Sequence, residues 1–281
     1  MNSTATSILV ADGLAFAEAP RWHENALWFS DFYTHQVMRI GADGVLQSML
    51  EVAGQPSGLG WLPDGRLLVV SMLDRQLLRL DPAGLTTVAE LGAMAPFHCN
   101  NMVVDTQGRA YIGNFGFDLA AKEAARPTCL ILVTPEGIAR VVADDLLFPN
   151  GCVITPDGAT LVVAETYGKR LTAFDIDADG SLSGRRVWAE LGEAMPDGIC
   201  LDKDGAIWVA SPNTREFLRV QEGGNITDRI PAKNQAIACA LGGADGRTLF
   251  MITGRVGGGA QKALEQRSGC IEARQVAVPA A

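Results

Sequence analysis

The stretch PDGATLVVAETYGKRLTAFDIDADG (156–180) contains the pattern that decides the fold of this chain. A turn glycine precedes an alternating apolar segment, and a second apolar segment follows and ends in another turn. An Asp-Gly pair between apolar segments is a strong signal for a β-hairpin. The hairpin recurs, and its turn glycines are spaced 43, 50, 47 and 41 residues apart. The six copies are WHENALWF (22–29), PDGRLLVV (63–70), TQGRAYIG (106–113), PDGATLVV (156–163), DKDGAIWV (202–209) and ADGRTLFM (244–251).

The length of the period indicates the architecture. Each period of about 40–50 residues holds about four strands, which is typical of a β-propeller blade. Six blades in a ring share an apolar interior, in agreement with a chain that is 48% hydrophobic and 20% charged. Segments that read as strands, Ile8–Val10 and Cys270–Val278, flank the copies. We therefore predict an all-β, six-bladed propeller with four-stranded antiparallel blades, in which N- and C-terminal strands close one blade and residues 1–281 form a single domain.

The composition argues against several classes of partner. A net charge of −9 disfavours nucleic acid and anionic membranes. The sequence has neither the pattern of a secretion signal nor an 18-residue apolar run, so we expect a cytoplasmic protein without a membrane span. The six cysteines form no CxxC motif, and we interpret them as buried free thiols rather than disulfides. The oligomeric state is not indicated.

One column of equivalent residues predicts the functional site. In a propeller the strand that enters each hairpin is the innermost, so residues at its start surround one mouth of the central channel. We call the residues eight positions before the turn glycines, with the equivalent residue of the first copy, the column. Its members are Glu18, Ser57, Asn100, Asn150, Asp197 and Ala238.

Four of these residues suit a cation. Glu18, Asn100, Asn150 and Asp197 offer two carboxylates and two amide oxygens from four blades, and buried carboxylates repel each other unless they are protonated or neutralised. An all-oxygen set favours calcium, magnesium or manganese. The alternative is that Asn150-Gly151 and Asp197-Gly198 are simple turns. Their shared register and the proline before each pair favour a metal site.

Further polar and aromatic residues are expected on the same face. The second strand of each hairpin returns there and ends at Asp31, Ser71, Asn114, Glu165, Ser211 or Thr253. Two inserts, 115–128 and 254–268, follow such strands. The second insert joins Gly257–Gly259 to a short helix-forming stretch, AQKALEQ (260–266), and is either a lid or a solvated loop. Phe115 and Phe117 would form an apolar wall that favours a substrate with a hydrophobic or aromatic part.

At these residues the chain resembles the gluconolactonase/regucalcin family, also called the senescence marker protein family, of six-bladed propellers. The motifs are EAPRW (18–22), LWFSD (27–31), NNMVVD (100–105), GRAYIGNFGFD (108–118), FPNG (148–151) and PDGICLD (196–202). The resemblance implies one divalent metal ion held by Glu18, Asn150 and Asp197, with Asn100 at or near the metal and in contact with substrate. Availability in the cell leaves calcium, magnesium, manganese, zinc and iron open.

The chain departs from the family pattern at three positions. Ala19 stands where the family usually has glycine, and Asn101 where it often has aspartate. Because Asn101 cannot ionise, any acid/base role of that aspartate is absent here. His98 stands where sugar-lactone members often carry arginine. The last difference weakens the expectation of a sugar-acid lactone.

The activity that the resemblance implies is hydrolysis of a lactone. Asp197 is the candidate general base toward water, and Asn100 is the second predicted catalytic residue. The predicted substrate-binding residues are His98, Asn100, Asn114, Phe115, Phe117 and Glu165. The alternatives are hydrolysis of organophosphate triesters at the same metal site and a propeller that binds metal without catalysis.

Overall fold

A computed structural model describes residues 6–281 of the chain. The first five residues lie outside this range. The predictions that concern them, the 1–281 domain bounds and the absence of a secretion signal, are therefore not described there. The strands, in chain order, are β1 (Ile8–Leu14), β2 (Ala17–His23), β3 (Ala26–Asp31), β4 (Gln36–Ile40), β5 (Leu46–Glu51), β6 (Pro56–Trp61), β7 (Leu67–Ser71), β8 (Gln76–Asp81), β9 (Gly84–Glu90), β10 (Cys99–Val104), β11 (Ala110–Asn114), β12 (Thr128–Val133), β13 (Ala139–Leu146), β14 (Pro149–Ile154), β15 (Thr160–Glu165), β16 (Arg170–Ile176), β17 (Leu182–Glu190), β18 (Ile199–Leu201), β19 (Ile207–Ser211), β20 (Glu216–Val220), β21 (Ile226–Pro231), β22 (Gln235–Gly242), β23 (Thr248–Gly254) and β24 (Gly269–Gln275). A 3₁₀ turn (Phe32–Thr34) follows β3, and helix α1 (Gly259–Gln266) lies between β23 and β24.

These strands form six four-stranded antiparallel sheets, which are the blades of a propeller. Blades one to five are β2–β5, β6–β9, β10–β13, β14–β17 and β18–β21. Blade six contains β22, β23, β24 and β1, so the N-terminal strand pairs with the C-terminal one. The predicted fold class and the shared closing blade are therefore confirmed, although the C-terminal strand ends at Gln275 rather than at Val278.

Apolar side chains between neighbouring blades form the core. The inner strands contact one another in the closed order β2, β6, β10, β14, β18, β22 and back to β2. Each of six clusters of buried apolar side chains spans two adjacent blades. Between blades two and three, for example, Val70 and Leu77 pack with Ile112 and Ile131. A single blade cannot bury both of its faces, so this inter-blade packing stabilises the ring.

Glycines after the column residues allow the inner strands to approach closely. A Cβ on Gly151 would lie 2.6 Å from the Asp197 carbonyl oxygen, and one on Gly198 would lie 2.4 Å from the Ala238 Cβ. Neither glycine has a positive φ, and Asn150 and Gly151 lie inside β14. These pairs are therefore not turns: the glycine provides room for the neighbouring strand.

The cysteines and the helix agree with the expectations from the sequence. All six cysteines are free thiols, and Cys99, Cys129, Cys152 and Cys239 are buried. The helix-forming stretch 260–266 lies within α1. Across residues 6–281, no helix combines the length and the hydropathy that crossing a membrane requires.

Candidate active site

The column residues lie where the inner strands depart from regular pairing. The register shifts between Glu18 and Arg21 in β2, and equivalent shifts occur at the start of β6, β10, β14 and β22. In blade five, Asp197 and Gly198 precede β18 and bond the backbone of Ala210. A bulge redirects side chains that a regular strand would point to alternate faces. The departures from regular pairing therefore occur at one level in the ring, and polar residues occupy that level in all blades except blade six, where it holds Ala238.

Side chains from four blades meet at this level. The Glu18 carboxyl group hydrogen-bonds the carboxyl group of Asp197 and the amide of Asn101. Asn101 Nδ2 donates to Asn150 Oδ1 at 2.7 Å, and Asn150 also hydrogen-bonds Asp197. We call these four residues, together with Asn100, the hub, and the face on which they lie the hub face. Asp197 is partly exposed, whereas the other hub residues are buried.

Neighbouring groups fix the orientation of Asn150. Its Nδ2 donates to Thr166 Oγ1 at 3.2 Å, and the Thr166 hydroxyl donates to the Pro196 carbonyl at 2.7 Å. With the nitrogen held in this way, Asn150 Oδ1 faces Asn101. The oxygens of Glu18, Asp197 and Asn150 are thus the donors that the hub offers to a cation. Only two of these donors are carboxylates. Residues 6–281 contain no group of three or more His, Cys, Asp or Glu side chains that could hold a metal.

Burial of two carboxyl groups side by side makes their charged forms costly. Desolvation raises the pKa of Glu18 to about 7. Hydrogen bonds from Ala19 N and Asn101 lower the pKa, but their effect is smaller. Desolvation and the nearby Glu18 charge raise the pKa of Asp197 well above its ordinary value. Without a counter-charge, the pair retains a proton at pH values where exposed carboxyl groups are ionised.

Two buried polar atoms at this level have no partner. Among residues 6–281, Asn100 Nδ2 and Ser57 Oγ have no hydrogen-bond partner, although Asn100 is 3% exposed and Ser57 is fully buried. Leaving a buried donor unpaired costs about 1–3 kcal/mol. A ligand bound at the hub could satisfy the amide of Asn100, whereas no ligand role is assigned to the Ser57 hydroxyl.

Arg21 connects two blades. Its guanidinium donates to the carbonyl oxygens of Pro20 at 2.8 Å and Met102 at 2.5 Å. Met102 belongs to blade three, so the side chain reaches from blade one to blade three. Burial lowers the pKa of Arg21, while the charge of Glu18 raises it. The guanidinium thereby places a positive charge beneath the carboxyl pair.

Asn101 is a hub residue that the sequence reasoning missed. The register of the column selects Asn100, and Asn101 was considered only as a residue that cannot ionise. The bulge between Cys99 and Met102 interrupts the alternation of β10, and Asn101 contacts both Glu18 and Asn150. The motif NNMVVD contains both asparagines, but the sequence does not show that Asn101 reaches these two residues.

Two predicted substrate contacts do not fit the structure. Asn114 is fully buried; its Nδ2 donates to the Cys129 carbonyl at 2.9 Å, and its Oδ1 accepts from Thr128 Oγ1 at 2.5 Å. Glu165, also fully buried, accepts from Arg170 Nε at 2.9 Å and from Leu147 N at 2.8 Å. Burial raises the pKa of Glu165, but these donors outweigh it and the net shift is downward. Both side chains hold loops in place and have no free atom for a substrate.

His98 and Phe115 belong to an aromatic wall, which we define as Phe97, His98, Phe115 and Phe148. The rings of Phe97 and His98 stack at 4.0 Å, and those of Phe115 and Phe148 at 4.5 Å. Burial lowers the pKa of His98, so its imidazole is neutral at pH 7. Phe117 is 1% exposed and packs behind Phe148, so the structure corrects its predicted role from substrate contact to support.

Known proteins resemble this chain over nearly its whole length. A 6-deoxy-6-sulfogluconolactonase of Pseudomonas putida is 26% identical over 291 aligned residues, which cover 99% of this chain and 97% of the relative. A solved structure described as the calcium-binding protein regucalcin from Agrobacterium tumefaciens superposes with a TM-score of 0.79 at 22% identity, covering 98% of this chain and 97% of that one. A luciferin-regenerating enzyme superposes with a TM-score of 0.84 at 16% identity, covering 99% and 97%.

The family model described as the SMP-30/gluconolactonase/LRE-like region matches residues 16–255, which include every hub residue. Together with the six-bladed fold and the carboxylate–amide hub, this match shows that the chain belongs to the SMP-30/gluconolactonase/LRE-like family.

Proposed function

We propose that this protein is a lactonase, which hydrolyses a cyclic ester at the hub with the help of one divalent cation. The observation that carries the proposal is the hydrogen-bonded Glu18–Asp197 carboxyl pair, and the buried, unpaired Nδ2 of the column residue Asn100 adds a free donor. The relative named 6-deoxy-6-sulfogluconolactonase and a relative named L-arabinolactonase support this reaction class.

The donor set fits a divalent cation. Two adjacent carboxyl groups that resist ionisation together are stabilised as anions when a cation takes the place of the shared proton. Glu18, Asp197 and Asn150 would hold the ion, and their carboxylate and amide oxygens suit a hard metal such as calcium, magnesium or manganese. The structure described as calcium-binding regucalcin agrees with this choice. Zinc and iron stay open.

The side chains of the hub would divide the reaction between them. A bound cation supplies Lewis acidity toward the lactone carbonyl. Asp197 accepts the proton of the attacking water, and its partial exposure lets that water reach it. Asn100 Nδ2 donates a hydrogen bond to a substrate oxygen, which satisfies a donor that is otherwise buried without a partner. Asn101 holds Glu18 and Asn150 in position.

The aromatic wall and helix α1 would shape the site above the hub. Phe97, His98 and Phe115 are partly exposed and offer ring faces to the apolar part of a substrate. Helix α1 has no buried residue and contacts the 3₁₀ turn 32–34 of blade one. A segment with few buried contacts opens at low cost, which favours a lid over a permanently packed element.

A panel of substrates tests the proposal. The metal-stripped and the reconstituted protein are assayed on aliphatic, sugar and aromatic lactones and on a phosphotriester, and acid release is followed. We expect cation-dependent turnover of lactones, with aromatic or alkyl-substituted rings preferred over simple ones. Turnover of the phosphotriester alone would support an organophosphate hydrolase. No turnover, together with a melting temperature that depends on metal, would support a non-catalytic metal-binding propeller.

The metal-free protein should lose stability as the pH rises. The raised pKa of Glu18 contributes stability that is complete below the ordinary value of 4.5 and is lost as the pH passes the folded value of about 7. This loss corresponds to about 3 kcal/mol, or several degrees in melting temperature. Thermal unfolding in chelator between pH 5 and pH 8 measures it, and added calcium should restore stability at pH 8. A melting temperature that does not vary with pH in chelator would contradict the description of the carboxyl pair.

A further inference from the structure

A second site lies on the hub face, above blades five and six. A cavity of about 620 Å³ is lined by four basic side chains, Arg215, Lys233, Arg255 and Lys262, and by amides that include Gln235. We call it the cationic pocket. No aspartate or glutamate is among its lining residues, although the whole chain carries a net charge of −9. Its volume is within the range of small-molecule sites.

Most of these cations are not neutralised. Among residues 6–281, no carboxylate lies within 4 Å of the charged groups of Arg215, Arg255 or Lys262, whereas Lys233 Nζ lies 3.8 Å from Glu272. All four basic side chains are exposed, so their charged groups are accessible to an anion from solution.

The repeat provides an internal comparison. Arg75 and Lys169 occupy, in blades two and four, the position that Arg215 occupies in blade five, immediately before the third strand. Arg75 donates to the Ala95 carbonyl at 3.1 Å, and Lys169 pairs with Glu193 at 3.2 Å. Among residues 6–281, the Arg215 side chain has no corresponding partner, so its charge is available to a ligand.

The pocket is within reach of the hub. Gln235 begins β22 and lies three residues before the column residue Ala238, a distance of about 10 Å along an extended strand. Its Oε1 accepts from Val256 N at 2.7 Å, which fixes the loop that carries Arg255 beside the inner strand. A molecule whose reacting ring lies at the hub and whose substituent extends about 10 Å along this strand would reach the pocket.

We propose that the cationic pocket binds an anionic group, a carboxylate, phosphate or sulfonate, on the substituent of the lactone that the hub hydrolyses. The inference rests on the proposed lactonase function and specifies its substrate class. Arg215 and Arg255 are specificity-determining residues, because their guanidinium groups match the planar or tetrahedral oxygens of such anions. Lys262, on α1, adds a charge that would bring the helix over a bound substrate.

The test compares each anionic lactone with its neutral counterpart. The ratio of their kcat/KM values is measured for a sugar lactone and for the same lactone bearing a carboxylate, a phosphate or a sulfonate. We expect a wild-type ratio above one for at least one of the three, and a fall of about tenfold to a hundredfold in Arg215→Gln/Arg255→Gln. Arg255→Lys should recover part of the ratio. The preference should weaken with ionic strength.

Arg247→Gln is the matched control. Arg247 is an exposed arginine of blade six in the hairpin turn on the opposite face, so its replacement removes one positive charge, as each of the two substitutions of the double variant does. Its ratio should stay within twofold of wild type. A double variant that keeps the wild-type ratio, or a control that loses as much, would overturn the proposal.

Calorimetric titration with inorganic phosphate separates failure of this inference from failure of the proposed function. Phosphate binding that the double variant loses would support the pocket even if no lactone were hydrolysed. Turnover of neutral lactones without either phosphate binding or an anion preference would leave the lactonase intact and overturn the pocket.

Discussion

Asp197→Asn should reduce kcat/KM for a lactone by at least about a thousandfold, because it removes the proton acceptor and replaces an anionic cation ligand by a neutral amide. The amide has the size of the carboxyl group, so the propeller should form normally. In chelator at pH 8 the variant should melt at or above the wild-type temperature, since one of two adjacent, repelling carboxyl groups is gone. Kinetics and thermal unfolding on the same preparations measure both effects.

Ser57→Ala is the control at the same level of the channel. Ser57 is a fully buried column residue, and its hydroxyl has no hydrogen-bond partner and no role in the mechanism above. Its removal should change kcat/KM by less than about threefold and should not lower the melting temperature. Wild-type turnover by Asp197→Asn would show that the proposed general base is wrong.

Gly198→Ala should destabilise the protein by about 3 kcal/mol or more, because the new methyl group meets backbone rather than a flexible side chain. Its Cβ would lie 2.4 Å from the Ala238 Cβ and 2.6 Å from the Ala238 Cα. The strands would have to separate at the level where the carboxyl groups meet, so cation affinity should fall as well. Urea unfolding and calcium titration measure the two losses.

Gly92→Ala is the matched control for this substitution. A Cβ on Gly92 would meet only the Arg75 guanidinium, at 3.4 Å, and the residue has no positive φ. Its unfolding free energy should stay within about 0.5 kcal/mol of wild type. Adding Ala238→Gly to Gly198→Ala should recover part of the loss, because it removes the nearest clashing atom. An unchanged unfolding midpoint in Gly198→Ala would contradict the close approach of the strands.

The blades and the closure of the ring could be predicted because short stretches of sequence indicate each hairpin and each strand. The turn glycines give the register, and alternating apolar residues give strands that must pack against a neighbour. The same register nominated Glu18, Asn150 and Asp197 together, and the structure places their side chains in one hydrogen-bonded group. Whether they hold a cation stays a prediction.

The roles predicted for individual side chains differ from the structure where they depend on neighbouring side chains whose positions the repeat does not define. Asn101 faces the hub because a bulge interrupts the alternation of β10, and a bulge has no clear signature in a single sequence. Asn114 and Glu165 lie at the predicted strand ends, but Thr128 and Arg170 already satisfy them. Phe117 is hidden by Phe148 and Tyr167. The position of a polar or aromatic group can be read from register, but its availability depends on the packing around it.

The position of the Arg21 side chain has a consequence for how substrate and product enter and leave the site. This side chain extends from blade one to the Met102 carbonyl of blade three and so narrows the channel. We expect substrate and hydrolysed acid to use the same entrance, on the hub face, so that the acid has to leave before another lactone can bind. Accumulated acid should accordingly act as a competitive inhibitor, and the opening of that entrance, rather than bond cleavage, can limit the turnover rate.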